Sequence, residues 1–222
     1  MRDQKTDNNQ IISYLTQRKL LGILGMSLPV ALFLLSQLDG YTPIRNTISS
    51  YYFINTREIF TGILAAMAIF LVTYKGYDKL DNRATNIAGG LAILIVLFPA
   101  MRDCDRPVVY LVAFLDATTT DWIHTISAST FFFILSYISY FLFTKHNGNI
   151  PTAKKVARNK IYRFCGIVIF ASILAVGIYM ILPEATRDLL APLRLIFVFE
   201  SMALFAFGTS WLVKGEVFLK DK

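Results

Sequence analysis

The chain is predicted to be an all-α integral membrane protein, a six-transmembrane-helix bundle with both termini in the cytoplasm. Three observations predict this fold class. Hydrophobic residues make up 55% of the 222 positions, above the roughly 45–50% of a soluble domain. They fall in blocks of about 20 residues, the length that crosses the hydrocarbon core of a bilayer as a helix. The lysines and arginines lie between these blocks and alternate in number from one gap to the next.

The first three predicted spans follow the first three apolar blocks. Residues 1–19 form a polar cytoplasmic tail, and the first block contains Pro29, a kink that membrane helices tolerate. The second block carries Gly62 and the third carries Gly89 and Gly90, small residues that allow close contact between helices. These spans cover residues 20–37, 59–74 and 84–101.

The last three spans follow a charged cluster and a short apolar run. Residues 107–120 are apolar for about nine residues, too short to cross a bilayer, so we predict a re-entrant or surface-lying segment. A long basic loop precedes the fifth span, and residues 214–222 form a second cytoplasmic tail. The spans cover residues 122–143, 164–182 and 192–213, which completes a transmembrane domain from 20 to 213.

The distribution of basic residues predicts the orientation. With the N-terminus in the cytoplasm and six spans, 16 lysines and arginines lie inside and 6 outside, and every lysine is inside. Cytoplasmic loops are enriched in these residues, so the alternation supports both the orientation and the number of spans. The net charge of +7 comes from these basic loops beside the membrane, so it does not indicate binding of nucleic acid.

Several chemistries are excluded by the residues at hand. His124 and His146, the two histidines, fall on opposite sides of the membrane, so they cannot supply a His-rich zinc site or a bis-histidine haem. Cys104 and Cys165 are separated in the same way, which excludes a disulfide between them. The chain has no nucleophile elbow and no phosphate-binding glycine loop. We therefore predict no metal and no cofactor.

Glu200 is the residue that most needs an explanation. It lies in the last apolar block, about 12 Å below its outer end, and a carboxylate inside a span is costly unless it has a partner or a function. Its expected partner is His124, with Arg57 as the second choice. Polar residues predicted near the outer ends of the spans complete a candidate site: Glu200, His124, Arg57, Asp103, Asp105, Ser49, Ser50 and Tyr51.

Structural roles for the same residues stay open at this point. Glu200 could be a neutral acid that joins two helices, and His124 could be an amphipathic anchor at the mouth of a helix. The loop between the first two spans is expected to lie at the membrane interface. Aromatic belts are predicted at the two interfaces, with Tyr51, Tyr52 and Trp122 outside and Tyr74, Tyr77 and Trp211 inside.

Motifs along nearly the whole chain resemble an uncharacterised bacterial family of six-span integral membrane proteins. They include Ile48-Ser-Ser-Tyr-Tyr52, Arg57-Glu-Ile-Phe-Thr-Gly62, Tyr74-Lys-Gly-Tyr-Asp78, Ile123-His124, Leu142-Phe-Thr-Lys145, Arg158-Asn-Lys-Ile-Tyr-Arg163 and Cys165-Gly166. The resemblance implies a bacterial plasma membrane and a multi-pass topology, and it carries no activity.

More distantly, the layout is similar to the damage-regulated autophagy modulator (DRAM) family. The matching residues are Ile48-Ser49 after the first span, His124 at the start of the fourth and Glu200 early in the sixth. Ser50 stands where that family has an acidic residue. The resemblance implies lipid handling. The layout is also similar to the CREST membrane hydrolases, although their metal-binding histidines are missing here.

Three functions compete. A lipid-interacting protein would open laterally toward lipid and bind a head group near Glu200 in an outer cavity. An enzyme acting on a lipid would bring Glu200, His124 and Asp103 or Asp105 within hydrogen-bonding distance. A small transporter or channel would need a polar path through the inner half. We favour lipid handling, with membrane lipids as partners; the pattern leaves a homo-oligomer open.

Overall fold

A computed structural model of the chain describes residues 13–38, 44–101, 110–145 and 152–220. Within these ranges the regular structure is entirely helical. The helices are α1 (Tyr14–Leu38), α2 (Arg57–Thr73), α3 (Lys79–Leu97), α4 (Ala117–Tyr137), α5 (Ala153–Ile181), α6 (Glu184–Leu190) and α7 (Leu195–Lys214). Five of the described helices are long and apolar enough to cross a membrane: α1, α3, α5, α7 and α4 with its π-helical continuation to Leu142. The all-helical membrane-protein class is confirmed at this level.

Several helices begin earlier than the apolar pattern indicates. α5 starts at Ala153, whereas the predicted span starts at residue 164, and its first turns carry basic side chains. The Thr152 hydroxyl caps it by accepting the Lys155 N–H at 3.1 Å. α4 starts at Ala117 because Asp116 accepts the Thr119 N–H at 2.8 Å, so part of the segment predicted to be re-entrant belongs to α4. Hydropathy marks only the apolar part of a helix, while capping residues fix its end.

The six long helices of the described chain pack as a closed ring in chain order. α1 contacts α2, each following helix contacts the next, α5 contacts α7, and α7 returns to α1. The long helices that follow one another in the chain are therefore neighbours in the ring, the order typical of an up-and-down helix bundle. We call the end where α1 begins and α7 finishes the basic end, since Arg18, Lys145 and Lys214 lie there. The other is the opposite end.

Glycines set the closest approaches between helices. A Cβ at Gly208 of α7 would lie 2.6 Å from the Gly22 carbonyl oxygen of α1, and one at Gly89 of α3 would lie 2.8 Å from the Ala68 carbonyl oxygen of α2. The predicted role of Gly89 is therefore confirmed. The same prediction for Gly62 is wrong, because the space around it is open; Gly90 is equally open.

Aromatic rings fill the basic end of the bundle. The Trp211 ring centroid lies 5.1 Å from Tyr74 and 5.0 Å from Phe143. The Lys214 ammonium lies 4.6 Å from the centroid of the Tyr77 ring. Tyr74 and Trp211 are buried and pack in the core, so the prediction that they belong to an interfacial belt is wrong.

The outward faces of the long helices are apolar. On α5 an exposed stripe follows the helical period; it consists of Phe164, Ile167, Phe170, Leu174, Ile178 and Ile181. A water-soluble bundle would carry polar side chains on such a face. This surface has the composition of one that contacts lipid chains.

Candidate functional site

The loop between α1 and α2 folds into the opposite end of the ring. We call residues 46–53 the plug segment; its side chains from Thr47 to Phe53 are buried. Ser49–Phe53 form a 3-10 helix, and the Tyr51 ring packs against Phe197 at 5.9 Å between centroids. The prediction that this loop lies at the interface is wrong, and so is the placement of Tyr51 and Tyr52 in an outer aromatic belt. Trp122, by contrast, is exposed.

Hydrogen bonds within the plug segment and to α7 satisfy several of its buried backbone groups. Ser50 and Thr47 exchange bonds: the Ser50 N–H donates to Thr47 Oγ1 at 2.9 Å, and the Ser50 hydroxyl donates to the Thr47 carbonyl at 2.7 Å. At its start, the Asn46 carbonyl accepts the Phe197 N–H of α7 at 2.9 Å. Buried backbone without such partners would be strongly destabilised.

His124 contacts the plug segment from α4. It lies seven residues into α4, roughly 10 Å from the helix end, and is only 5% exposed. Its Nδ1 is 2.7 Å from the Phe98 carbonyl oxygen and its Nε2 is 2.9 Å from Ser49 Oγ. A carbonyl can only accept, so Nδ1 carries a hydrogen, and in the neutral ring Nε2 accepts the Ser49 O–H. His124 is thus a buried, oriented imidazole and not an anchor at the helix mouth.

Glu200 contacts the same segment from α7. It lies five residues into that helix, about 8 Å from its start. Its Oε2 accepts the Ile48 N–H at 2.7 Å. The sequence predicts His124 as the partner of Glu200. In the structure each of the two side chains binds the plug segment, and the residues they bind, Ser49 and Ile48, are adjacent in the chain.

A cavity of about 250 Å³ lies between α4, α5, α7 and the plug segment. Its polar end is formed by Thr47, Ser49, His124 and Glu200, and its walls are mainly apolar. The described lining contains a carboxyl group but no lysine or arginine. The wall residues are Ala100, Thr125, Ala128, Ser129, Phe132, Phe133, Ile173, Leu174, Val176, Gly177, Met180 and Ile196.

The cavity reaches the apolar surface of the bundle between α4 and α5. Two of its lining side chains, Phe133 and Leu174, are 41% and 49% exposed. Nothing lies within 4 Å of a Cβ built at Gly177, another exposed lining residue. Toward the basic end, α4 and α5 are in close contact at Gly166, where a Cβ would lie 3.1 Å from the Ser136 carbonyl oxygen of α4. The two helices are therefore close at one end and separated at the other, which makes the opening.

The remaining predicted site residues lie elsewhere. Arg57 donates to the Tyr52 hydroxyl and lies over the Tyr52 ring, 4.2 Å from its centroid. Ser50 and Tyr51 are internal to the plug segment and do not line the cavity. Asp103 and Asp105 lie outside the described residues, as does Cys104, while Cys165 is a buried free cysteine. Among the residues that the structure describes, no cluster of His, Cys, Asp and Glu is arranged to hold a metal.

Sequence reasoning missed the groups that orient and enclose the site. The Phe98 carbonyl that fixes the His124 ring comes from the backbone at the end of α3, where no side chain signals it. Gly177 and Ser129 were unremarkable members of apolar spans. A signal was present only for Thr47, since a hydroxyl three residues before Ser50 is typical of a local side-chain to backbone turn.

The fold and the site together define a helical membrane protein with a cavity that opens on the apolar surface of the bundle and ends in polar groups. Comparison with protein-family models, with curated proteins and with solved structures finds no match to this chain.

Proposed function

We propose that this protein binds a membrane lipid, with the polar head group at Glu200 and the acyl chains in the bilayer. The observation that carries the proposal is the cavity between α4, α5 and α7. It is polar at one end, apolar along its walls, and lined by exposed side chains where it meets the apolar surface. An amphiphile entering sideways from lipid would match this distribution of polarity.

The chemistry of the polar end favours an amine-bearing head group. Glu200 supplies a carboxyl group, and Thr47 and Ser49 supply hydroxyls, while no cationic side chain is in the described lining to neutralise a phosphate. An ammonium group is the complement of a carboxylate in a site shielded from water. We therefore propose a zwitterionic aminophospholipid, of which phosphatidylethanolamine is the simplest probe.

The proposal includes the membrane topology. α2 has 17 residues, about 25 Å as a helix, which is at the lower limit for crossing a bilayer. Its place in the ring between α1 and α3 supports it as a sixth span, with the basic end in the cytoplasm. The bacterial plasma membrane as location, and the kinship with the DRAM-like proteins, rest on the resemblance in sequence.

A transporter is less well supported by this arrangement. It would need a polar path from the cavity to the basic end, where Trp211, Tyr74, Phe143 and Phe207 pack against one another. Ser139 and Ser210 do meet in this half, but their hydroxyls are 2.7 Å apart and buried.

Lipid retention tests the proposal. The protein is purified in mild detergent, exchanged into nanodiscs with equal phosphatidylethanolamine, phosphatidylcholine and phosphatidylglycerol, then re-extracted, and its bound lipid is counted by native mass spectrometry. We expect about one retained phosphatidylethanolamine. Gly177→Leu should abolish retention, because its side chain would occupy the opening. Gly90→Leu is the matched control, since Gly90 is an equally open helical glycine away from the cavity.

Glu200→Gln separates head-group recognition from the cavity itself. The amide oxygen can still accept the Ile48 N–H, so the plug segment stays in place, but the charge is lost. Retention should persist and its preference for phosphatidylethanolamine over phosphatidylcholine should fall by roughly tenfold, as a charge-assisted bond is lost. Equal lipid retention by wild type and Gly177→Leu would refute the proposed function.

A further inference from the structure

We propose that Ser49 and His124 form a nucleophile and base pair that transfers an acyl group from an ester-linked lipid bound in the cavity. The inference rests on the proposed lipid binding and adds a reaction to it. It is carried by the 2.9 Å contact between Ser49 Oγ and His124 Nε2, at the polar end of a cavity that is open to lipid.

The pair has the geometry that a serine nucleophile requires. A serine hydroxyl is a weak nucleophile until an adjacent base accepts its proton, and the base must be held by a third group. Here the Phe98 carbonyl, 2.7 Å from Nδ1, holds the imidazole in the tautomer whose Nε2 faces Ser49. The two hydrogen bonds of His124 connect the end of α3, α4 and the plug segment, so three elements fix the geometry of the pair.

Ser49 is also held from its own backbone. Glu200 Oε2 accepts the N–H of the preceding residue, Ile48, at 2.7 Å. The following residue, Ser50, donates two hydrogen bonds to Thr47, one from its backbone N–H and one from its hydroxyl. Glu200 and Thr47 therefore act as positioning residues for the nucleophile. Both line the cavity, which places the bound head group next to the hydroxyl.

The reaction can be written with all atoms accounted for. Ser49 Oγ attacks the ester carbonyl carbon while its proton passes to His124 Nε2. The carbon–oxygen bond to the leaving alcohol breaks, and that oxygen takes the proton from Nε2, leaving an acyl ester on Ser49. Water or the hydroxyl of a second lipid then attacks this ester, its proton passes through Nε2 to Ser49 Oγ, and the acyl group leaves as a free acid or a new ester.

A serine-directed covalent probe tests the assignment. The purified protein, delipidated and not delipidated, is treated with an alkyl fluorophosphonate, and the modified residue is identified by peptide mass spectrometry. We expect phosphonylation of Ser49, absent in Ser49→Ala and slowed by roughly 100-fold or more in His124→Gln through loss of the base. Ser27→Ala is the control: it removes a hydroxyl that donates to the Leu24 carbonyl within α1 and does not line the cavity, so it should react as the wild type does.

Lipid retention measured on the same samples keeps the two proposals apart. If folded protein retains phosphatidylethanolamine but Ser49 is unmodified in both preparations, the pair is a structural link and the acyl-transfer inference is overturned. Labelling at Ser49 that persists undiminished in His124→Gln would overturn it as well. Labelling of Ser49 without retained lipid counts against the binding proposal alone, whereas absence of both retained lipid and labelling overturns both proposals.

Discussion

Lys145 follows the π-helical continuation of α4 and joins that segment to the start of α3 at the basic end. Its Nζ lies 2.7 Å from Asp78 Oδ2 and 2.7 Å from Asp81 Oδ1. The hydrogen bond from Lys145 lowers the pKa of Asp78 below its usual value, with help from the Asp81 N–H. Burial alone would lower the pKa of Lys145, but its hydrogen bonds to Asp78 and Asp81 outweigh burial and raise it. The lowered pKa of Asp78 and the raised pKa of Lys145 keep these two groups charged over a wide range of pH.

Replacing this lysine should give a pH-dependent loss of stability. The lowered Asp78 pKa contributes stability above the ordinary aspartate pKa of about 3.9, and that contribution is lost as pH falls through the folded value. The raised Lys145 pKa contributes stability below the ordinary lysine pKa of about 10.4, lost as pH rises through the folded value. Lys145→Met should thus lower the melting temperature in detergent by a few degrees, evenly between roughly pH 5 and 9.

The control is Lys160→Met on α5, an exposed lysine with no ion pair in the part of the chain that the structure describes. The melting temperature of Lys160→Met should equal that of the wild type over the whole pH range. A Lys145→Met deficit that does not shrink as the pH falls through the lowered pKa of Asp78 would contradict the ion-pair explanation, because Asp78 loses its charge over that range.

At the scale of elements, glycine decides where helices touch and where they separate. Gly22, Gly208 and Gly166 stand at close crossings, where a backbone oxygen of the neighbouring helix leaves no space for a methyl group. Gly177 stands where α5 diverges from α4, and Gly90 stands on the outer face of α3. The same residue type therefore marks packed and open positions, and only the neighbours distinguish them.

An alanine pair measures this difference. In Gly208→Ala the new methyl group meets the Gly22 carbonyl oxygen at 2.6 Å, so the α1–α7 contact must widen. We expect a loss of about 1–3 kcal/mol in the free energy of unfolding, the usual cost of overpacking. Gly90→Ala, in open space, should be neutral or stabilising by up to about 1 kcal/mol through helix propensity. Chemical unfolding in mixed micelles would measure both, and equal effects would refute the close contact.

At the scale of the whole molecule, the number of crossings depends on α2. Five of the described helices have the length and apolarity of a membrane span. α2, with 17 residues, is shorter than any of these five. If α2 crosses, the segments before and after it lie on opposite sides of the membrane. A ring of six with both ends of the chain on one side requires that crossing.

Cysteine labelling in whole cells tests whether α2 crosses the membrane. In a background without Cys104 and Cys165, Asn55→Cys and Lys75→Cys place single thiols at the two ends of α2, both exposed. A membrane-impermeant maleimide should label Asn55→Cys in intact cells and Lys75→Cys only after permeabilisation. Equal labelling of both in intact cells would show that α2 does not cross, and the reverse pattern would place the basic end outside.

The sequence by itself determined the all-helical membrane class of the fold, and it predicted a set of candidate site residues that includes Glu200, His124 and Ser49. Runs of about 20 apolar residues can only be satisfied as helices in lipid, because hydrocarbon offers backbone groups no other partner. The cost of a carboxyl group in such a run singled out Glu200. The predicted topology placed His124 and Ser49 near the same outer ends of the spans. These are local properties, so composition and spacing are sufficient to find them.

Only the tertiary structure decided how these residues are used. The plug segment is apolar and polar in equal measure, and whether it lies on the membrane or inside the ring depends on helices distant in sequence. The bond from Ser49 to His124, the Phe98 carbonyl behind it and the opening beside Gly177 all arise where separate helices meet. A sequence records each partner, but the distance between them is set by packing, which no local pattern contains.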